Sequence, residues 1–169
     1  MDLCYNPFMA KNKEIRTNAM RILERLKIPY TAVSADIGDF ESGIKAADKE
    51  GLPYEETFKT LVARGHSGDY CVLVIPIARE VDLKKAARAA GEKSLSLIAV
   101  KELTPLTGYV RGGCSPIGMK KAFKTYLGNE AEALPKIYIS GGQIGLSLQI
   151  APEDLKKACG AVYADLTTL

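Results

Sequence analysis

The sequence predicts an α+β fold in which a single domain is built around a mixed β-sheet. The chain has 169 residues, of which 47% are hydrophobic, and this size and composition suit one domain over residues 1–169. Helical patterns are interspersed with hairpin-like pairs of strands, without the regular strand–helix–strand alternation of a parallel sheet. Neither repeats nor a linker divide the chain, so we expect one continuous core.

The first half of the chain predicts two helices and a hairpin. In order, we expect a loose arm at residues 1–9, helices at Asn12–Leu26 and Gly43–Glu50, and strands at Tyr30–Val33, Phe58–Val62 and Tyr70–Ile75. Pro29 ends the first helix, and Gly51 and Pro53 close the second. Because Gly65–Asp69 is rich in turn residues, the last two strands are expected to pair as a hairpin.

The second half predicts two further helices and three strands around a glycine-rich loop. Asp82 is a good N-cap for a helix that Gly91 ends. We expect short apolar segments at Leu95–Val100, a turn at Lys101–Leu103, strands at Lys136–Ser140 and Leu146–Ile150, a helix at Pro152–Cys159 and a strand at Val162–Ala164. The residues Gly141-Gly142-Gln143 predict the turn between the two longer strands.

Composition excludes several classes of function. The chain has 23 basic and 20 acidic residues, and the net charge of +3 permits a local basic face but no uniformly basic surface. It contains no apolar stretch of transmembrane length and no signal-peptide pattern, so we expect a cytoplasmic protein. Cys4, Cys71, Cys114 and Cys159 form no C-x-x-C motif and His66 is the one histidine, which predicts reduced thiols and neither a metal site nor a cofactor.

The stretch from Gly108 to Lys121 is suited to an unusual backbone path. It contains four glycines and Pro116, which favour a fixed loop that another molecule can approach closely. The stretch is not a phosphate-binding loop, since Met119 intrudes after Gly118 and no hydroxyl follows Lys120. It is not a nucleophile elbow either, because Ile117 occupies the place of the last glycine. A plain glycine-rich turn is the alternative to a functional loop.

Three segments resemble the YbaK/EbsC family of Cys-tRNA(Pro) deacylases, which are related to the editing domain of prolyl-tRNA synthetase. In chain order they are Phe58-Lys59-Thr60-Leu61, then the loop with Gly108-Tyr109, Gly112-Gly-x-Ser-Pro116, Gly118 and Lys120-Lys121, then Tyr138-Ile-Ser-Gly-Gly142 with Gly145-Leu146. The resemblance covers nearly the whole chain from about Thr17 onward. It implies a mixed, barrel-like β-sheet flanked by helices.

The resemblance also implies which residues would form the site. The catalytic positions are Lys59, Gly112 and Pro116, and the substrate-binding positions are Thr60, Tyr109, Gly113, Ser115 and Ser140. Lys59 would meet the phosphate or ribose of the terminal adenosine, and the loop amides would hold the ester carbonyl oxygen. Alternation along the strand predicts that Lys59 and Thr60 point to opposite faces. A surface lysine, a turn serine and a packed tyrosine are the ordinary alternatives.

The resemblance implies that the substrate supplies its own nucleophile. No Ser–His–Asp or Cys–His arrangement is persuasive with His66 in a hairpin loop. The resemblance implies instead that the thiol of the mischarged cysteine attacks its own ester carbonyl. Cys114 is the alternative nucleophile, although no nearby base would form its thiolate. The amino-acid preference stays open, because the best-known members have an aspartate, a tyrosine and an aromatic residue at the positions of Ser147, Ala35 and Ser42.

Two basic clusters are candidates for contact with tRNA phosphates. One consists of Lys120, Lys121 and Lys124, the other of Lys84, Lys85 and Arg88, and a solvated surface explains either equally well. The resemblance implies tRNA as the partner and prolyl-tRNA synthetase as a second candidate, with no role for DNA or a membrane. We therefore expect a trans-editing hydrolase for Cys-tRNA(Pro). The alternatives are a deacylase for alanyl- or seryl-tRNA and a non-catalytic module that binds aminoacyl-tRNA or a synthetase.

Overall fold

A computed structural model describes residues 15–168, so the predicted arm at residues 1–9 lies outside the described part. The strands are β1 Thr31–Ser34, β2 Phe58–Gly65, β3 Tyr70–Pro76, β4 Leu95–Leu97, β5 Lys124–Gly128, β6 Ile137–Gln143, β7 Leu146–Ile150 and β8 Val162–Ala164. The α-helices are α1 Asn18–Arg25, α2 Gly43–Glu50, α3 Leu83–Ala90, α4 Val100–Thr107 and α5 Pro152–Cys159, and 3-10 helices lie at Tyr54–Glu56 and Asn129–Ala133. No helix within residues 15–168 is long and apolar enough to cross a membrane.

The strands form two sheets. One is three-stranded in the order β1-β7-β6, and the other is five-stranded in the order β4-β2-β3-β5-β8. In the larger sheet β2 is antiparallel to β3 and β4, whereas β3, β5 and β8 run parallel. The sheets meet where Thr57 forms a parallel bridge with Tyr138. The α+β class with a mixed sheet and flanking helices is confirmed, and "barrel-like" describes it only loosely because neither sheet closes on itself.

Apolar residues cover both faces of the larger sheet. On one face Val72 and Leu127 pack with Leu23 of α1 and Leu148 of β7 in the main core. On the other face Leu73 packs with Ala86 of α3 and its neighbours in a second cluster. This arrangement explains why β3 is a continuous apolar run rather than an alternating one, as is usual for strands buried on both sides. Strand β3 of the larger sheet is therefore buried on both faces.

Helix α1 begins later than its apolar pattern predicts. The helix starts at Asn18, because Thr17 acts as its N-cap and its hydroxyl accepts a hydrogen bond of 3.2 Å from the Met20 N–H. Residues 15–17 are not helical, so the predicted start at Asn12 is wrong for this part of the chain.

The segment before the glycine loop forms a helix where a turn was expected. The predicted turn at Lys101–Leu103 is wrong, since these residues lie within α4. The Glu102 carboxylate accepts a hydrogen bond of 2.8 Å from the Ala99 N–H and so stabilises the start of the helix. Pro105 lies inside α4 and obscured the helical pattern.

Strand β5 was not predicted from the sequence. It follows the glycine loop closely and pairs in parallel with β3, which is distant in the chain.

Candidate active site

A cavity of about 350 Å³ is bordered by both sheets, by α2 and by the glycine loop. This volume is within the range of ordinary small-molecule sites. Four of the residues that the sequence singled out lie on its wall: Lys59 and Thr60 from β2, Gly112 from the loop and Ser140 from β6. The fold thus brings together residues from three segments that are far apart along the chain.

The edge of β2 explains why Lys59 and Thr60 both reach the cavity. Strand β3 pairs along one edge of β2 from Phe58 to Arg64, whereas β4 pairs with the other edge only at Ala63–Gly65. Along residues 58–62 no strand of the described part of the chain pairs with this edge of β2. Alternation predicted that the two side chains point to opposite faces of the sheet. Both nevertheless line the cavity, because the cavity meets β2 at its edge and not on one face.

Lys59 and Thr60 both line the cavity, and the structure gives neither side chain a polar partner within residues 15–168. None of the ion pairs formed within residues 15–168 includes the half-buried Lys59. The Thr60 hydroxyl is buried and has no hydrogen-bond partner in the described part of the chain. A buried polar atom left without a partner costs about 1–3 kcal/mol, so a rotation of the Thr60 side chain that brought its hydroxyl to a bound ligand would be favoured.

Hydrogen bonds hold the glycine loop in one path. The Tyr109 hydroxyl donates to the Ile117 carbonyl at 2.6 Å, and the Ile117 N–H donates to the Ser115 hydroxyl at 3.2 Å. The Asn18 side chain of α1 donates to the Gly118 carbonyl at 2.8 Å. Tyr109 and Ser115 are buried residues of the loop itself, so these hydrogen bonds fix its backbone from the protein interior.

Four predicted site residues are not on the cavity wall. Tyr109, Gly113, Ser115 and Pro116 are buried beside it and pack within the loop or against the β6–β7 turn. A Cβ added at Gly113 would lie 2.9 Å from the Ile144 nitrogen. The Gly113 N–H donates a hydrogen bond to the Val110 carbonyl at 2.9 Å. In this structure these residues support the wall and do not line it, and their direct contact with substrate stays a prediction.

Two backbone N–H groups of the loop, in residues that line the cavity, have no hydrogen-bond acceptor within residues 15–168. Gly112 and Cys114 both line the cavity, and within residues 15–168 neither N–H has a hydrogen-bond acceptor. Gly112 adopts a φ of +84°, which side-chain-bearing residues adopt only with strain. A pair of free amides on a fixed loop is the arrangement that stabilises a developing oxyanion.

Phe40 and Arg111 form a cover over Gly112. The Arg111 guanidinium carbon lies 4.9 Å from the centroid of the Phe40 ring, within the range of a cation–π contact. The ring packs directly on Gly112, since a Cβ added there would overlap it. The sequence did not predict this pair, because its members lie 71 positions apart in the chain and no local pattern links them.

The three residues that depart from the related family have identifiable contacts. Ser147 lies on the wall and its hydroxyl donates to the Glu50 carboxylate at 2.7 Å. Ser42 caps α2 by accepting from the Lys45 N–H at 3.2 Å. The Ala35 N–H donates to the Gly145 carbonyl at 2.9 Å, which ties the loop after β1 to the β6–β7 turn. The sequence did not predict Glu50 as a site residue. Burial raises the pKa of its carboxyl group, and the hydrogen bond from Ser147 has a smaller, opposite effect.

The thiol of Cys114 is on the wall but is not activated. Burial raises its pKa to about 11, and a hydrogen bond with Thr107 opposes this only weakly. At neutral pH the group is therefore a neutral thiol and a poor nucleophile. Within residues 15–168, Cys71, Cys114 and Cys159 are free thiols and no cluster of three His, Cys, Asp or Glu side chains could hold a metal ion.

Neither basic cluster lines the cavity. Both Lys124 and Lys59 pair with strand β3, Lys124 with Cys71 and Lys59 with Ile75. Their partners are four positions apart, so the two lysines are separated by about 13 Å along the strand direction. The Lys120 ammonium donates to the Pro105 carbonyl at 3.3 Å. In the second cluster the Lys85 ammonium donates to the Thr167 carbonyl at 2.9 Å and so ties α3 to the end of the chain.

Comparison with known sequences finds the aminoacyl-tRNA editing domain in residues 41–158. The candidate Cys-tRNA(Pro)/Cys-tRNA(Cys) deacylase EbsC of Enterococcus faecalis is 43% identical over 162 residues, which cover 95% of this chain and 99% of that protein. This match includes both the β2 segment and the glycine loop.

Comparison with solved structures finds the same fold. The crystal structure of a candidate trans-editing enzyme for prolyl tRNA synthetase superposes with a TM-score of 0.75 at 24% identity, covering 92% of this chain and 99% of that one. A hypothetical protein of known crystal structure superposes with a TM-score of 0.81 at 23% identity, covering 90% of this chain and 100% of that one. The arrangement of the two sheets and their helices is therefore shared with these proteins.

Proposed function

The chain belongs to the aminoacyl-tRNA editing domain family, and on that premise we propose that it is a trans-editing deacylase that hydrolyses the ester bond of mischarged Cys-tRNA(Pro). One observation carries this proposal. A single cavity combines an unpaired lysine, a buried hydroxyl without a partner and two free backbone amides, within the part of the chain that the structure describes. These are the groups that an aminoacyl ester with a nearby phosphate requires.

Each group has a distinct role in the proposed complex. Lys59 binds the phosphate or ribose of the terminal adenosine, and the Thr60 hydroxyl gains a hydrogen-bond partner from the same nucleotide. The N–H groups of Gly112 and Cys114 hold the carbonyl oxygen of the ester and stabilise the negative charge that develops on it. Ser140 lies beside the aminoacyl group, where its hydroxyl already accepts a hydrogen bond of 3.2 Å from the Gly142 N–H.

The substrate's own thiol is the proposed nucleophile. The cysteine sulfur attacks the ester carbonyl carbon and loses its proton, a C–S bond forms, and the bond between the carbonyl carbon and the ribose oxygen breaks. The ribose oxygen takes a proton, and water then opens the cyclic thioester to free cysteine. A thiol with an ordinary pKa near 8.5 needs little help, which suits a site whose own thiol is buried and neutral.

The proposed partners follow from the substrate. We place the protein in the cytoplasm, where charged tRNA is found, with prolyl-tRNA synthetase as the source of the mischarged substrate. A synthetase pocket separates amino acids of similar size poorly, so a second site that hydrolyses the wrong product is a general solution.

A panel of charged tRNAs tests the proposed function. Purified protein is incubated separately with Cys-, Ala-, Ser- and Pro-tRNA(Pro), and release of the amino acid is compared with the rate in buffer alone. We expect rapid release of cysteine. Rapid release of alanine or serine instead would reassign the substrate, and binding of tRNA without release from any of the four would indicate a non-catalytic module.

Replacing Cys114 by serine is expected to leave most of the deacylation rate intact. The position contributes its backbone N–H to the site, while the buried thiol, with a pKa of about 11, is not ionised at neutral pH. Steady-state rates on Cys-tRNA(Pro) measure the effect. An inactive variant, together with a cysteinyl thioester trapped on the wild-type protein, would contradict the substrate-assisted mechanism.

Replacing Lys120, Lys121 and Lys124 by glutamine is expected to raise KM with little change in kcat. Each lost phosphate contact should lower the slope of log KM against log salt by about 0.7 to 0.9. The control replaces three exposed lysines outside both clusters, Lys93, Lys136 and Lys157, in the same way. If the first variant keeps the wild-type salt slope, these lysines belong to a solvated surface and do not contact tRNA.

A further inference from the structure

The Glu50 carboxylate is an unusual feature of the cavity wall. Among the described residues that line the cavity, Glu50 alone is acidic, while Lys59 and Arg111 are basic. Glu50 is the last residue of α2, and Gly51 follows it as a C-cap with a φ of +72°. The end of the helix, and with it the position of the carboxylate, is therefore fixed against the wall.

Several features make this position unfavourable for a negative charge. The carboxylate is partly removed from water, and it lies at the negative end of the helix dipole. No ion pair within residues 15–168 includes it. Its neighbour Lys49 donates instead to the Ile37 carbonyl at 2.9 Å, and the Glu50 hydrogen bond comes from the neutral hydroxyl of Ser147.

We propose that Glu50, oriented by Ser147, binds the protonated α-amine of the aminoacyl group and so restricts the site to esters with a free amine. The inference rests on the proposed function, because it takes an aminoacyl ester as the ligand. In such an ester the carboxyl group is consumed in the bond to ribose, so the α-ammonium is the one charge on the backbone of the amino acid. The basic wall residues suit the nucleotide phosphate, and the carboxylate suits this cation.

The proposal identifies a class of substrates that the site rejects. An N-acylated ester, such as the one in peptidyl-tRNA, has no charge at this nitrogen and carries an acyl group that would be pressed against the carboxylate. Binding such a group would leave the partly buried Glu50 charge without a partner, which is strongly unfavourable. The enzyme would thereby spare tRNAs that hold a growing peptide.

Binding of a non-hydrolysable analogue tests the subsite independently of catalysis. The probes are adenosine 5′-phosphate bearing cysteine through a 3′-amide bond and the same compound acetylated on its α-amine. Calorimetry gives the Kd of both probes for the wild-type protein and for Glu50→Gln. We expect the wild-type protein to bind the free-amine probe about 10- to 100-fold more tightly, since a charged hydrogen bond is lost on acetylation. In Glu50→Gln this preference should fall to a few-fold.

Glu130→Gln is the matched control. Glu130 is also a partly buried glutamate that accepts a hydrogen bond from a hydroxyl, that of Thr167 at 2.6 Å, but it does not line the cavity. It should keep the wild-type preference for the free amine. Ser147→Ala keeps the charge and loses only its orientation, so its preference should be intermediate.

The outcomes separate this inference from the proposed function. An undiminished preference in Glu50→Gln, equal binding of both probes by the wild-type protein, or no binding of either, would each overturn the subsite, even if Cys-tRNA(Pro) is hydrolysed. A preference that depends on Glu50, in a protein that hydrolyses no charged tRNA, would support the subsite and overturn the deacylase.

Discussion

Replacing Lys59 by alanine is expected to lower kcat/KM for Cys-tRNA(Pro) by about 100-fold or more. The ammonium group is on the cavity wall and forms no ion pair within residues 15–168, so the proposed phosphate contact is its main interaction. Without that contact the ester carbonyl is no longer held against the loop amides, and loss of positioning alone can reduce a rate by about 100-fold. Single-turnover hydrolysis with excess enzyme measures the effect.

Lys136→Ala is the control for the Lys59 variant. Lys136 is an exposed lysine outside the cavity, so its replacement removes the same charge without touching the site. Both variants should keep the wild-type circular dichroism spectrum and melting temperature. Wild-type turnover by Lys59→Ala would contradict the role proposed for this residue.

Replacing Gly112 by alanine is expected to reduce deacylation about as severely. The residue has a φ of +84°, and a Cβ would overlap the Phe40 ring, so the ring or the loop must shift. Because the positive φ also strains the loop, we expect the loop to move and to carry the N–H groups of Gly112 and Cys114 with it. A displacement of about 1 Å at a catalytic donor can cost about 100-fold in rate. Initial rates on Cys-tRNA(Pro) under saturating conditions report this loss in kcat.

Gly91→Ala separates backbone strain from the site. Gly91 caps α3 with a φ of +70°, and nothing lies within 4 Å of an added Cβ. Both alanine variants pay the conformational penalty of a left-handed residue, about 1–2 kcal/mol, so both should melt at lower temperature. Only Gly112→Ala should lose activity. Equal activity in the two variants would show that the loop backbone does not contribute to catalysis.

Local chemistry made much of the fold predictable from the sequence. Gly51 and Gly91 ended two helices where expected, and the turn residues Gly65–Asp69 joined β2 to β3. The failures have physical causes. Helix α4 contains Pro105, which normally argues against a helix, and β5 is stabilised by parallel pairing with residues more than fifty positions earlier in the chain.

The candidate site was predictable only where a resemblance marked its residues. Four residues of the family motifs line the cavity: Lys59, Thr60, Gly112 and Ser140. Glu50 carries none, because its place depends on how α2 packs against β7, and its hydrogen-bond partner is 97 residues away. The sequence showed that Ser147 stands where related proteins have an aspartate. It did not show the contact of Ser147 with Glu50, because only the fold brings the two residues together.

The relative rates on Cys-tRNA(Pro) and Ser-tRNA(Pro) test the central claim most directly. The two substrates differ in one atom, sulfur for oxygen, so single-turnover rates at saturating enzyme compare the two nucleophiles in the same site. The substrate-assisted mechanism predicts fast release of cysteine and release of serine slower by about 100-fold or more, because a hydroxyl ionises far less readily than a thiol. Equal rates for the two substrates, or no release of cysteine above the rate in buffer, would contradict it.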